Sequence, residues 1–477
     1  MSKSLMKNAF FNTLYKALTV VFPLFTVSYA SHILGPAGIG NVSSAQNIVT
    51  YFTMFASLGI PSYGVRAIAK IRSASGKEKN QIFSELFLIN ALATSICIVA
   101  YLIMLNVFET PSTLNIIFGL LIVLNYFNIE WVYQGLEKYQ YIAMRSLAIK
   151  VISLILMLIL VKTKQDIWIY AIIVCFGTVG NYIFNMVQLR RYVNFRFFNL
   201  KVSRHFKPII IFFASVLAIE LYSLLDITML TKMSNPESVG YFSNAVKIVK
   251  MLAGTFTAIG AVLLPRLSIY YSQNDLKRVE EVINTFLKIM IFISIPSCVG
   301  LVLISDKIVF VLFGRDFLPA IETIKILSPL LILMPLSGGV FGQLLLTTDK
   351  EKTFFKCVFF GTCVNVILNV ILIPLYNQNG AAIASVATEA MVTALMLVAC
   401  RKLTKIPLNV KYYLSIGISA FCMALVITLV EKIFSGVSLL PLMVLDVVLG
   451  ALTYFIILLM LKNDIMLSAI AKLKRIK

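Results

Sequence analysis

Fourteen long apolar runs leave this 477-residue chain few ways to fold. They lie at residues 8–30, 40–62, 82–106, 113–134, 142–161, 167–189, 208–231, 240–264, 283–304, 319–346, 354–375, 380–400, 412–431 and 439–461. Each is close to the ~20 residues that a helix needs to cross a bilayer core of ~30 Å. Hydrocarbon offers no hydrogen bonds, so each run must satisfy its own backbone as a helix; barrel strands would alternate polarity over about ten residues. Composition agrees, with 59% hydrophobic residues, 13% charged residues and a mean hydropathy of +0.91. The expected fold is an all-α integral membrane protein.

Charge orients it. With a cytoplasmic N-terminus, 32 of the 42 Lys and Arg fall on the inner side, and six fall outside: Lys162, Lys164, Lys232, Lys307, Arg315 and Lys432. The other four, Lys16, Lys247, Lys250 and Lys325, lie inside apolar runs. This asymmetry predicts both termini in the cytoplasm. The net charge of +21 is thus mostly topology, and no soluble domain carries a basic patch for nucleic acid. Residues 1–30 resemble a secretory signal, with Lys3, Lys7 and the small-residue site Ser28-Tyr29-Ala30. Retention is expected, because 208–231 is an equivalent helix later in the chain. The seven Cys lie in or at the ends of apolar runs without C-x-x-C spacing, and read as small buried hydrophobes.

The chain also repeats itself. GPAGIGNVSSAQNIV (35–49) returns as NPESVGYFSNAVKIV (235–249), matching Pro36, Gly40, Ser43, Ala45, Ile48 and Val49 to Pro236, Gly240, Ser243, Ala245, Ile248 and Val249. Arg66 and Arg266 keep the same offset. The expected domains are a six-helix lobe (1–189), a basic linker (190–207), a second six-helix lobe (208–402), and a last helix pair with a basic tail (403–477). An even helix count gives both lobes one orientation, related by an axis along the membrane normal. The linker RRYVNFRFFNLKVSRHFK mixes cations with aromatics, which suits either the inner membrane surface or an ordinary positive-inside loop. Pro23, Pro296, Pro329 and Pro335 interrupt predicted helices, with Gly338 and Gly339 nearby.

Charges inside a bilayer are costly, about 2.5–3.5 kcal/mol each on insertion scales, so those present face a cavity or a partner. Glu220 lies ~18 Å from the inner end of its segment, and Lys247 sits at a matching depth of ~20 Å. An ion pair between them and a substrate role both fit. Lys250, one turn on, is the strongest candidate for binding an anion. Lys16 shares a face with Asn12, and Asp226 and Glu389 are further acids within apolar runs. Amides align at helical spacing: Asn8 with Asn12; Asn181, Asn185 and Gln188; Asn365 and Asn369. They suit either sugar hydroxyls or interhelical hydrogen bonds worth ~0.6 kcal/mol each. His32 and His205 are the two histidines, neither in a metal-ligand pattern. No P-loop, Gly-rich nucleotide fingerprint or nucleophile elbow occurs, so no cofactor is expected. The glycines and proline of GPAGIG suit a tight outer turn.

SHILGPAGIG, IPSYGVRAIAK, WVYQGLEKYQYIA (131–143), NPESVGYFSNAVKIV, VLLPRLS (262–268) and TTDKEK (347–352) together resemble the polysaccharide repeat-unit flippases. These Wzx-type transporters belong to the multidrug, oligosaccharidyl-lipid and polysaccharide exporter superfamily. The resemblance covers nearly the whole chain. It implies two lobes in a V that alternate access, and transfer of undecaprenyl-pyrophosphate-linked oligosaccharide to the outer leaflet of a bacterial plasma membrane. Membrane lipids, and a polysaccharide polymerase with its chain-length machinery, are the implied partners. Lys16, Lys247 and Lys250 would then meet the pyrophosphate, and Arg66 and Arg266 would gather it at the inner mouth or mark the cytoplasmic boundary. A cation-coupled multidrug exporter of the same fold would use acids such as Glu220, Asp226 and Glu389. A glycan polymerase or glycosyltransferase would need a catalytic loop or acidic nucleotide-sugar motif, and neither is present. On the flippase reading, Lys250→Ala lowers translocation more than Lys325→Ala at equal membrane abundance; equal activity would remove Lys250 from the site.

Overall fold

The computed structural model describes residues 3–72, 76–107, 112–196, 198–261, 264–406, 409–434 and 436–467. All regular structure among them is helical. In order, the helices are α1 (Lys3–Ser57), α2 (Ile60–Lys70), α3 (Gly76–Val107), α4 (Thr113–Leu124), α5 (Glu130–Gly135), α6 (Tyr139–Leu160), α7 (Ile167–Leu189), α8 (Ser203–Met233) and α9 (Pro236–Ala261). There follow α10 (Leu264–Ser272), α11 (Leu276–Leu303), α12 (Ser305–Phe313), α13 (Ala320–Leu327), α14 (Leu330–Met334), α15 (Gly342–Thr347), α16 (Glu351–Arg401), α17 (Val410–Ile433) and α18 (Leu439–Met460). Each of the fourteen apolar runs coincides with one or more of these helices. Nine described stretches are long and apolar enough to cross a membrane.

Two of those stretches hold a backbone break, where one helix becomes two. In α1 the break is Gly35, at φ 69° and ψ 179°. Glycine reaches that φ without a Cβ clash, and Pro36 then starts the next helix where its missing N–H costs nothing. In α16 the break is Asn377, at φ 48° and ψ −125°. Of the four prolines, Pro23 and Pro296 are carried within continuous helix. Pro329 and Pro335 instead divide 320–347, and a π-helical turn spans Pro335–Phe341. Two prolines six residues apart, followed by Gly338-Gly339, remove too many consecutive constraints for one α-helix to persist.

The chain forms two compact units. The first runs to Thr231 and includes Asn235–Gly240; the second holds Lys232–Ser234 and Tyr241 onward. The sequence repeat begins anew near 208, yet α8 packs with the first unit, zipped to α1 by a polar row. Asn47 Nδ2 donates to Leu224 O at 3.1 Å and Thr228 Oγ1 at 2.8 Å, and Ser44 Oγ and Tyr51 Oη meet Thr231 and Thr228 hydroxyls at 2.8 and 3.1 Å. Those three residues stand at i, i+3 and i+7 on one helix face.

Small residues set the closest crossings in this unit. A Cβ on Gly40 would lie 1.8 Å from Pro236 O, and one on Gly240 would lie 2.1 Å from Pro36 O. Within the first unit, segments 36–40 and 236–240 therefore meet reciprocally, each glycine against the other's proline carbonyl. Helix α2 buries Ile60, Gly64, Ala67 and Ile68 while exposing Ser62, Arg66 and Lys70, an amphipathic pattern. Its Gly64 faces the Trp131 ring, 2.6 Å from a would-be Cβ, and Gly135 of α5 faces Ile68 at 2.7 Å. Phe83, Leu86, Ile89, Ile129, Tyr133 and Ile142 complete this core.

In the second unit, Tyr412, Ile416, Ala420, Met423 and Ile427 form one stripe of α17 that packs with Tyr454 and Leu458 of α18 against α11. Outward positions such as Leu92, Ile96, Val99 and Ile103 on α3 are exposed large hydrophobics, as lipid contact requires. Gly64→Ala is expected to cost about 1–3 kcal/mol by overpacking against Trp131. Gly254→Ala, whose Cβ would meet nothing within 4 Å, costs none. Thermal unfolding of the two purified variants checks this, and equal midpoints would contradict it.

Candidate functional site

The first unit contains a polar interior built from α1, α4, α5, α6, α7 and α8. Its centre is Arg145 on α6, whose side chain is 4% exposed. Its guanidinium donates to Glu130 Oε2 at 2.6 Å, to Asn181 Oδ1 at 3.0 Å and to Asn185 Oδ1. Glu130, on α5, also accepts from Tyr15 Oη at 2.9 Å and Gln134 Nε2 at 3.3 Å. The Tyr141 ring lies 5.3 Å from the guanidinium carbon, and Tyr133 Oη donates to Asn185 O. One acid and one base are thus held by amides and phenols, the arrangement that makes a buried ion pair tolerable.

Beside it, α4 ends at Leu124 and a short turn, 125–127, leads on to α5. Asn125, at this break, is the centre of a side-chain hydrogen-bond cluster. Its Nδ2 donates to Thr94 Oγ1 at 3.0 Å and Asn90 Oδ1 at 3.2 Å, its oxygen accepts from Ser57 Oγ at 2.8 Å, and Asn90 Nδ2 donates to Asn125 O at 2.9 Å. These contacts shape a cavity of about 400 Å³ lined by Gln46, Thr50, Thr53, Ser57, Asn125, Asn128, Thr178, Tyr182 and Glu220, with Leu121, Val179 and Val216 among its apolar walls. Neither Lys nor Arg lines it among the described residues.

A second charged knot fixes the linker. Glu85 on α3 is fully buried and accepts from Lys201 N at 2.7 Å and from Arg204 at 2.6 and 3.0 Å. His205 stands between, with Nε2 2.7 Å from Glu85 and Nδ1 2.8 Å from the Tyr63 hydroxyl. In the second unit, buried Lys307 pairs with Glu431 and, at 3.0 Å, with Asp446, tying α12 to α17 and α18. Alongside lies an apolar groove of about 440 Å³ between α11, α17 and α18.

The residues singled out from sequence are dispersed over this framework. Glu220 lines the first unit's cavity and is exposed in it. Asn181 and Asn185 commit their carboxamide oxygens to Arg145, and Gln188 is half-buried. Arg66 is exposed on α2, and Asp226 is buried on α8. In the second unit, Lys247 is exposed and Lys250 half-buried on α9. Glu389 is buried and accepts from Ser337 Oγ of the π-turn. Asn369 Nδ2 donates to Asn365 Oδ1 at 3.1 Å, both side chains fully buried. The side chains of Asn12, Lys16 and Arg266 lie outside the described residues. Arg145 and Lys150, which the charge count places with the inner side, and Lys307, which it places outside, are helical, and Arg145 and Lys307 are buried. Among the described residues, no group of three or more His, Cys, Asp or Glu is placed to hold a metal ion.

This architecture is an all-α, multi-pass membrane fold. It is similar to the solved structure of "Lipid II flippase MurJ, inward closed conformation", with a TM-score of 0.74, 18% identity, and coverage of 96% of this chain and 100% of that one. An inward-facing multidrug resistance MATE family transporter aligns at TM-score 0.63 and 14% identity, covering 80% and 93%. The chain belongs to the family described as polysaccharide biosynthesis protein, whose model matches residues 5–271. A relative from Escherichia coli K12, named "Putative O-antigen transporter", is 28% identical over 83% of this chain and 97% of its own length. The chain is therefore a multi-pass membrane protein, and the relatives matched over most of its length are named as transporters.

Removing the base from the central pair leaves a partly buried carboxylate stranded, so Arg145→Ala is expected to lose about 2–4 kcal/mol. The double variant Glu130→Gln, Arg145→Met recovers most of it. Unfolding midpoints of the purified proteins measure both, and a mild Arg145→Ala effect would show that Glu130 is solvated.

Proposed function

We propose that this protein carries undecaprenyl-pyrophosphate-linked oligosaccharide repeat units from the inner to the outer leaflet of a bacterial plasma membrane, by alternating access. The observation that carries the reading is a cavity of about 400 Å³, with amide and hydroxyl side chains set among apolar walls, inside a helical unit whose outer face is apolar. A glycan has no affinity for hydrocarbon, and its hydroxyls must exchange water for protein partners during transfer. The amides and hydroxyls around the cavity supply such partners while remaining neutral. The relative named as an O-antigen transporter, matched over nearly its whole length, supports the same substrate class.

In this reading Lys16, Lys247 and Lys250 receive the pyrophosphate, and Arg66 and Arg266 collect it at the cytoplasmic mouth. Both termini face the cytoplasm, and the polymerase and chain-length machinery act on the product outside. The linker's exposed Phe195, Phe198 and Phe206 and its cations rest against the inner leaflet.

Deleting the gene while the upstream glycosyltransferases remain intact is expected to accumulate complete lipid-linked repeat units on the inner leaflet, and restoring the gene clears them. Normal surface glycan in a deletion strain lacking any substitute transporter would overturn the proposal. New sensitivity to cationic dyes in that strain would point to the drug-exporter reading.

A further inference from the structure

The wall of the first unit's cavity has a hydrogen-bonding polarity. Thr50, Thr53 and Thr178 each donate their hydroxyl hydrogen to their own helix, to Gln46 O at 2.7 Å, Thr50 O at 3.1 Å and Val174 O at 3.0 Å. Each keeps its lone pairs as the group it can offer a ligand. Asn128 turns its Nδ2 inward to Asn125 Oδ1 at 3.2 Å and Ser57 Oγ at 3.5 Å, which leaves its oxygen. Glu220, the one charged residue in the lining, can only accept. Gln46, Ser62 and Tyr182 retain donors, yet acceptors outnumber them.

We infer that this wall selects glycans by charge and donor content: it takes neutral or amine-bearing sugars, which present hydroxyl or ammonium donors, and rejects sugars bearing a carboxylate. Each sugar hydroxyl can donate to a threonine, asparagine or glutamate oxygen. A uronic acid presents only acceptors at its carboxylate, so it meets an acceptor-rich wall with Glu220 as a like charge and no lining cation to offset it. The pyrophosphate must accordingly be held away from this wall, by cations elsewhere. The inference rests on the flippase reading and adds the class of sugar to it.

The test uses the purified full-length protein in liposomes with two undecaprenyl-pyrophosphate-linked glycans that differ only in a terminal glucose or glucuronate. Wild type is expected to move the glucose form about five- to tenfold faster, the effect of a like charge across a wet cavity. Glu220→Gln, which keeps the shape and removes the charge, is expected to bring the two rates within about twofold. Thr50→Val slows both forms alike, because it removes an acceptor without changing charge. Equal wild-type rates, or an unchanged ratio in Glu220→Gln at equal reconstituted amount, would overturn the inference and leave the flippase reading standing. Transport of neither glycan by wild type would instead remove the flippase reading.

Discussion

Hydrocarbon cannot accept or donate a hydrogen bond, and every feature of this chain answers to that. Each apolar run becomes a helix, and where a helix must stop inside the membrane, side chains take over its unfilled backbone groups. Asn90 does this at the end of α4, donating to Asn125 O, while the Asn125 side chain bonds Thr94 and Ser57. The charges follow the same rule. Glu130 with Arg145, Glu85 with Arg204 and His205, and Lys307 with Glu431 and Asp446 each tie separate helices through groups that lipid would leave unmatched. Hydrophobic collapse does little to hold such helices together, because lipid is as apolar as leucine; close crossings at Gly40, Gly64 and Gly240 and these polar knots do it instead.

The fold was legible because length and hydropathy alone determine helices in a bilayer. The break at Gly35 was legible too, since a Gly-Pro pair both permits the unusual φ and starts a new helix. The fate of the other prolines was not. Pro296 and Pro329 look alike in sequence, and only the second has another proline and a glycine pair close behind.

The site was less legible, for a physical reason. Arg145 lies four residues inside its apolar run and is easily counted with the loop before it, although the structure buries it. Its partners come from α5 and α7, so only tertiary packing reveals the pair. Asn181 and Asn185 showed a true helical stripe whose purpose, binding Arg145, required a residue 36 to 40 positions away. Ser44, Asn47 and Tyr51 held a similar stripe, and their partners on α8 lie 177 to 187 positions along the chain.

What emerges is a division of labour. In the first unit Arg145 is paired with Glu130, and Glu85 with Arg204 and His205, whereas the cavity is lined by neutral groups and one acid. Such a surface can bind many hydroxyls weakly and release them again, as the proposed passage of a glycan requires. The most direct measurement is made with the purified protein in sealed liposomes carrying a lipid-linked oligosaccharide in the inner leaflet. The account predicts that the glycan becomes accessible to an externally added lectin at a rate set by the amount of protein. A rate no greater than in protein-free liposomes, with the protein folded and inserted, would contradict it.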